Sequence, residues 1–175
     1  MAGATGRLIV IALACAVAGA GAVAAYDPVQ ALAGRYGRGF ANGMVDGSHY
    51  RSENIAEIVP VDAAHAYLRF DLQFYNGHSC GLAGIATRRG DALVYTGRPE
   101  DGWIDGRPCT LTVRRQGTTL VWDDANGTCK AECGARGSFS NGALPWSSKR
   151  PIRYLARLKR SVEYREAIAE WREQR

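Results

Sequence analysis

Residues 66–87 read AYLRFDLQFYNGHSCGLAGIAT, and this stretch decides the fold class. Apolar and polar side chains alternate over its first ten residues, with Leu68 and Phe70 among the apolar ones. Successive side chains of a strand point to opposite faces, so a period of two predicts a strand with one apolar face. Asn76-Gly77 follows and favours the positive φ angles of a tight hairpin turn. We therefore predict a hairpin whose return strand carries Cys80 near the turn.

Short alternating runs continue on both sides of this hairpin, at residues 55–61, 92–96, 109–114 and 118–122. Four Asn-Gly pairs, which begin at residues 42, 76, 126 and 141, predict turns among them. Short strands at near-regular spacing are typical of an antiparallel barrel or sandwich. We therefore predict a mainly β domain of seven to eight antiparallel strands over residues 26–148.

The last segment, residues 149–175, changes to the spacing of an amphipathic helix. We predict one kinked helix or two short ones, packed on the β domain through Leu155, Leu158, Ile168 and Trp171. The basic charge is concentrated here, with 9 Lys+Arg against 4 Asp+Glu, whereas residues 26–148 hold 12 against 13. Contact of this basic tail with a membrane is an alternative to an ordinary solvated face.

Residues 1–25 have the features of a signal peptide. Arg7 precedes an apolar run, and the small residues 22–25 offer a cleavage site before Tyr26. This pattern predicts a periplasmic or secreted protein, and an uncleaved membrane anchor is the alternative.

Four cysteines follow this segment, and an even number behind an export signal predicts two disulfides. Cys129 and Cys133 would lie about 13 Å apart in a strand, which is too far for a bridge. We therefore favour Cys109–Cys129 with Cys80–Cys133, and Cys80–Cys109 with Cys129–Cys133 is the alternative. A zinc site that uses His78 with these thiols is disfavoured by the ligand spacing.

Two stretches are candidates for binding. Asn76 and His78 lie at the predicted turn, and a glycine-rich run from residue 133 contains Gly134, Arg136 and Ser138. Such a run can bind a carboxylate or phosphate through exposed amides and the arginine, or it can simply turn the chain after a disulfide. The sequence contains no recognisable catalytic acid–base pair, cofactor motif or metal motif, and no aromatic–basic stripe for nucleic acid.

The stretches FYNGHSC (residues 74–80), CTL (109–111) and CGARG (133–137) together resemble a domain of bacterial envelope proteins. Gly134-Ala135-Arg136 is also similar to the Ser-Gly-Ala-Arg-Tyr loop of the small β-barrel inhibitors of c-type lysozyme. Cys133 stands here in place of the serine of that loop, and Gly137 in place of the tyrosine. The resemblance covers about residues 42–139 and implies an exported β-barrel with an inhibitory or binding role.

Two functional hypotheses follow. The first is a non-enzymatic binding protein of the envelope that presents His78 and residues 134–138 to a partner, which would be an envelope protein or a lysozyme-like enzyme. The second is a small-ligand carrier whose barrel interior is lined by Tyr36, Phe40, Phe70 and Phe74. A carrier needs an open cavity of a few hundred cubic ångströms, whereas a binding module needs an exposed loop.

Overall fold

The structure is a computed structural model that describes residues 1, 3, 26–98 and 106–174. The predicted signal peptide lies outside these ranges, apart from residues 1 and 3. Among the described residues, no helix has both the length and the apolar composition that a membrane span requires.

Eight antiparallel strands form one sheet in which each strand pairs with the next along the chain. In chain order, the elements are α1 (Pro28–Ala31), β1 (Gly34–Gly43), β2 (His49–Pro60), β3 (His65–Gln73), β4 (Ser79–Arg89), β5 (Ala92–Thr96), β6 (Thr110–Gln116), β7 (Thr119–Asp123), β8 (Gly142–Pro145), α2 (Leu155–Leu158) and α3 (Val162–Glu173). The predicted antiparallel β fold with a C-terminal helical segment is confirmed.

The sheet curls into a nearly closed barrel. The amides of Arg35 and Arg150 each donate to the carbonyl of the other residue at 2.8 Å. The amide of Gly37 donates to Ser148 Oγ at 3.3 Å. Ser148 and Arg150 lie three and five residues after the end of β8, so these bonds join β1, at one edge of the sheet, to the chain that leaves β8 at the other edge.

Large side chains fill the barrel interior. The Phe70 ring lies 5.0 Å from the ring of Trp122 and 5.8 Å from that of Phe139. A Cβ on Gly142 would lie 2.1 Å from the Trp122 indole, so only glycine leaves room for this ring. Other buried residues of the same core are Tyr36, Ile58, Leu68, Leu72, Leu82, Leu93, Leu111, Leu120 and Leu144. The interior is packed with side chains, as in other small barrels.

The connection between β3 and β4 differs from the predicted tight turn. Asn76 and Gly77 have the expected positive φ angles, 59° and 69°. They belong, however, to a five-residue connection that contains a short 3₁₀ turn, because strand pairing ends at Gln73 and Ser79. The side chains of Tyr75 and Asn76 bond to the neighbouring β1–β2 connection, and the amide of Gly77 bonds to Tyr50 of β2. The local sequence pattern does not encode these long-range contacts.

The turn predicted at Asn42-Gly43 was wrong. Both residues end β1, and Asn42 is buried. Its amide nitrogen donates to Ser52 Oγ at 3.0 Å and to the carbonyl of Phe74 at 2.9 Å. Asn42 therefore supports the end of the barrel, and the turn lies one residue later, at residues 44–48.

The C-terminal segment forms two short helices, α2 and α3, on the outer face of the barrel. Leu158 and Ala167 are buried against Val59 and Tyr67 of β2 and β3. The Tyr164 ring lies 4.7 Å from that of Tyr67. The segment therefore covers the apolar patch on this outer face.

The predicted docking residues were correct in part. Leu158 is buried, and Ile168 and Trp171 are half-buried, with the Trp171 ring 4.9 Å from that of His65. Leu155 was a wrong prediction, since 37% of its surface is exposed. Helix α2 has only one turn, so its inner side is used by Tyr154 and Leu158, and Leu155 points away from the barrel.

A buried carboxylate attaches this segment to the barrel. Glu57 in β2 is fully buried and accepts hydrogen bonds from the Tyr154 hydroxyl and from Arg69 Nη1, the latter at 2.8 Å. A buried charge is tolerated when it is paired and hydrogen-bonded in this way. Burial raises the pKa of Tyr154, and the hydrogen bond to Glu57 adds to that increase.

We expect Tyr67→Phe to leave the free energy of unfolding unchanged or to raise it by about 1 kcal/mol. The Tyr67 hydroxyl is buried and has no hydrogen-bond partner among the described residues. In the matched variant Tyr36→Phe, we expect a loss of about 1 kcal/mol, because the Tyr36 hydroxyl donates to the carbonyl of Leu32 at 2.9 Å. Urea denaturation at neutral pH measures both values. Equal losses in the two variants would contradict the assignment.

The variant Tyr67→Phe also reports on alkaline stability. Burial raises the pKa of Tyr67 from 10.0 to about 12. Tyrosine therefore ionises in the unfolded chain before it ionises in the folded one, and stability falls as pH rises through this interval. We expect Tyr67→Phe to make this fall shallower than in the wild type, measured as urea midpoints against pH.

Candidate functional site

The two disulfides are Cys80–Cys133 and Cys109–Cys129, so the favoured pairing is confirmed. All four thiols are oxidised and do not serve as zinc ligands. On the chain-entropy model, closing loops with sequence separations of 53 and 20 residues stabilises the fold by about 4 and about 3 kcal/mol respectively. Disulfides of this kind are typical of proteins that fold outside the cytoplasm.

The Cys109–Cys129 disulfide lies beside a buried acidic residue, Asp124. Its carboxylate accepts hydrogen bonds from the amides of Gly127 and Cys129, at 3.2 and 3.4 Å, and from the Ser140 hydroxyl at 2.7 Å. These bonds fold the loop after β7 on itself. Asp124 is therefore a structural residue.

The Cys80–Cys133 disulfide brings the two predicted binding stretches together. The Cα atoms of the two cysteines are 4.0 Å apart, and the amide of Gly134 donates to the carbonyl of Ser79 at 2.8 Å. A Cβ on Gly134 would lie 3.4 Å from Nδ1 of His78. His78 and Gly134 are thus neighbours, although 55 residues separate them in the chain.

Lys130 holds residues 134–137 in a fixed shape. Its ammonium donates to the carbonyls of Gly134, Ala135 and Gly137, at 3.1, 2.9 and 2.8 Å. The amide of Gly137 also donates to the carbonyl of Gly134 at 2.9 Å. The amides of Gly134 and Gly137 are therefore already used, and the Arg136 side chain is the charged group of this loop that could bind an anion.

Gly137 is required by the disulfide. A Cβ on this residue would lie 2.6 Å from Sγ of Cys80, a separation that real Cβ atoms do not show. At Gly134, by contrast, the nearest atom to such a Cβ would be 3.4 Å away, which is tight but tolerable. Of the two glycines that bound this loop, Gly137 is the one that the fold needs.

Arg136 and Ser138 are exposed on this loop. The Ser138 hydroxyl accepts a hydrogen bond from the amide of Ser140 at 3.0 Å, so it is partly committed to the loop itself. The guanidinium of Arg136 has no hydrogen bond or ion pair among the described residues. Arg136 is therefore a free cation on a rigid backbone.

The β1–β2 connection supports the turn that contains Asn76. The Asn76 side-chain oxygen accepts from the amide of Val45 at 3.3 Å, and the Tyr75 hydroxyl donates to the carbonyl of Met44 at 3.0 Å. The amide of Gly77 donates to the hydroxyl of Tyr50 at 3.0 Å. The Asn76 side chain thus links the β1–β2 and β3–β4 connections, and its oxygen already accepts a hydrogen bond.

Three connections therefore meet at one end of the barrel. They expose apolar, aromatic and charged groups together, with Val45 70% and Tyr75 48% exposed. We call this the disulfide-end surface, and it comprises Val45, Tyr75, His78, Ala135, Arg136 and Ser138. Tyrosine and arginine are enriched among the residues that carry binding energy at protein interfaces.

Sequence reasoning missed several residues of this site. Val45 and Tyr75 were not predicted to be exposed, and Lys130 was not linked to the loop that it holds. An apolar valine in the run Met44-Val45-Asp46-Gly47, which is typical of a turn, was the available signal. The contacts of Lys130 depend on the folded loop, and no local pattern predicts them.

We expect Lys130→Met to lower the free energy of unfolding by about 2 kcal/mol, because three carbonyls lose a charged donor. Hydrogen exchange at the Gly137 amide should become faster in this variant. Arg136→Met is the matched control and should change stability by less than about 0.5 kcal/mol, since that side chain is free. Thermal denaturation and amide exchange measure the two effects. A stable Lys130→Met variant with unchanged exchange would show that the lysine does not hold the loop.

No family model, no curated protein and no solved structure matches this chain.

Proposed function

We propose that this chain is an exported, non-enzymatic binding protein of the bacterial envelope. Its disulfide-end surface would contact a partner protein, and a lysozyme-like enzyme is the partner class that we favour. The observation that carries the proposal is Arg136, a free cation on a loop that is fixed by a disulfide and by Lys130. A preorganised loop binds with a smaller entropic cost than a mobile one.

The chemistry of the partner follows from Arg136. Most glycoside hydrolases use two carboxyl groups that flank the scissile bond. An arginine guanidinium binds a carboxylate through two parallel hydrogen bonds, which is its strongest pairing. An inhibitor that places Arg136 at such a carboxylate would block the cleft, while Tyr75 and Val45 supply apolar contact beside it.

The expected export of the chain agrees with this proposal. Residues 1–25 have the composition of a signal peptide, and we propose that they direct the chain to the periplasm or outside the cell. The two disulfides suit the same compartment. A lysozyme that cleaves the cell wall would reach the protein in that compartment.

The packed interior favours a binding surface over a carrier. Tyr36 and Phe70, two of the four aromatic residues expected to line a ligand cavity, are buried in the core, and Phe74 packs against it. Phe40 is half-exposed. A carrier would need to move several of these rings to admit a ligand.

The test is inhibition of a c-type lysozyme by the exported protein with both disulfides formed. We expect inhibition in a cell-wall turbidity assay, and we expect Arg136→Ala to weaken it about thirtyfold, the effect of losing one residue that carries much of the binding energy. Arg89→Ala is the matched control. Arg89 is also exposed, but it ends β4, roughly 30 Å along the strand from Ser79.

Two results would contradict the proposal. One is the absence of inhibition by the wild-type protein, and the other is an equal loss in Arg136→Ala and Arg89→Ala. Native mass spectrometry of the protein purified from its own envelope distinguishes a binding protein from the alternative, a small-ligand carrier. A small molecule released on denaturation would indicate a carrier.

A further inference from the structure

A second surface lies away from the disulfide end, on the C-terminal segment. Four cations occur within eight residues there: Arg153, Arg157, Lys159 and Arg160. All four are exposed, and in the part of the chain that the structure describes none has a carboxylate within ion-pair distance. Arg157 makes one cation–π contact, 5.2 Å from the centre of the Tyr154 ring. We call residues 153–162 the basic segment.

Several cations elsewhere on the barrel are paired, in contrast. Arg69 pairs with Glu57, Arg35 with Glu53, and Arg98 with two glutamates of α3. The acidic side chains of α3 that have a described ion pair, Glu170 and Glu173, are thus turned towards Arg98. The basic segment itself contains four cations and no acidic residue.

Docking on the barrel determines which side of this segment faces outwards. Ile152, Tyr154 and Leu158 pack on the barrel, so the remaining side chains point away from it. Leu155 and Val162 are among these, with 37% and 54% of their surfaces exposed. The exposed side therefore combines four cations with two aliphatic side chains.

We propose that the basic segment binds the surface of an anionic phospholipid membrane. The cations would lie at the lipid headgroups, and Leu155 and Val162 would enter the boundary with the acyl chains. Each lysine or arginine near an anionic membrane increases binding about fivefold. The two aliphatic groups favour a lipid surface over a soluble anionic polymer, which offers them no apolar region.

This surface is independent of the proposed inhibitory one. The disulfide-end surface lies at the end of the barrel where β4 begins, whereas the basic segment covers the outer face of β2 to β4. Membrane contact through the basic segment would hold the barrel at the membrane surface without using Arg136. Failure of either proposal would leave the other standing.

The experiment is co-sedimentation of the exported protein with vesicles of phosphatidylglycerol and phosphatidylcholine in equal amounts. We expect binding that weakens with added salt, as the charge contribution is screened. The triple variant Arg153→Gln, Arg157→Gln and Arg160→Gln should bind about a hundredfold less tightly, since three fivefold contributions are lost. Vesicles of phosphatidylcholine alone measure the binding that does not depend on anionic lipid, which the comparison subtracts.

Two controls make the result specific. The variant Arg51→Gln, Arg89→Gln and Arg114→Gln removes the same charge from exposed positions on the barrel, and its binding should fall by less than tenfold. The variant Leu155→Ala and Val162→Ala keeps the charge, and its binding should fall several-fold.

Three outcomes would overturn the proposal. These are no binding to phosphatidylglycerol vesicles beyond that to phosphatidylcholine, an equal loss in both triple variants, and an unchanged affinity when Leu155 and Val162 are truncated. The last result, with displacement by soluble polyphosphate, would assign the basic segment to an anionic polymer instead.

Discussion

The Cys80–Cys133 disulfide is the constraint on which the candidate site depends. Antiparallel pairing of neighbouring strands builds the barrel, but it leaves the long loop after β7 without a partner strand. The covalent bond fixes that loop against the beginning of β4, and the amide of Gly134 then reaches the carbonyl of Ser79. Gly137 and Lys130 complete the arrangement, one by leaving room for the sulfur and the other by binding three carbonyls.

Different residues stabilise the fold and form the proposed binding surfaces. Aromatic rings fill the interior, and the buried Glu57 with its two donors attaches the C-terminal segment to the outer face. These groups are fully used by the fold. Among the described residues, Arg136 at one end of the barrel and the cations of the basic segment on its side have no ion pair, and both extend from backbones that the fold holds in place. The proposed functions therefore use charged side chains that have no ion pair among the described residues.

The sequence predicts the parts of this structure that depend on local periodicity. Alternation around Phe70 identifies a strand with one buried face, and repeated short runs of this kind identify an antiparallel barrel or sandwich. Spacing alone favoured the correct cysteine pairing. These predictions hold because a strand needs an apolar face and because a disulfide needs two close Cα atoms.

The predictions that failed depend on contacts between distant residues. Asn42 lies at the end of β1 because its side chain bonds to Ser52 and Phe74. Leu155 is exposed because α2 has only one turn, which places Leu158 but not Leu155 against the barrel. Sequence motifs identified two residues of the site, His78 and Arg136. Lys130 and Val45 belong to the site only because the folded loops bring them there. Local sequence patterns describe neither the closing of these loops nor the exposure that results.

The decisive measurement for the role of this disulfide is amide hydrogen exchange at Gly134 and Gly137 in the variant Cys80→Ala with Cys133→Ala. We expect both amides to lose protection while the amides of β3 and β4 keep theirs, because the barrel does not need this bond to form its sheet. The variant Cys109→Ala with Cys129→Ala, which removes the other disulfide, should leave Gly134 and Gly137 protected. Full protection of these two amides without the Cys80–Cys133 bond would contradict the claim that this disulfide creates the site.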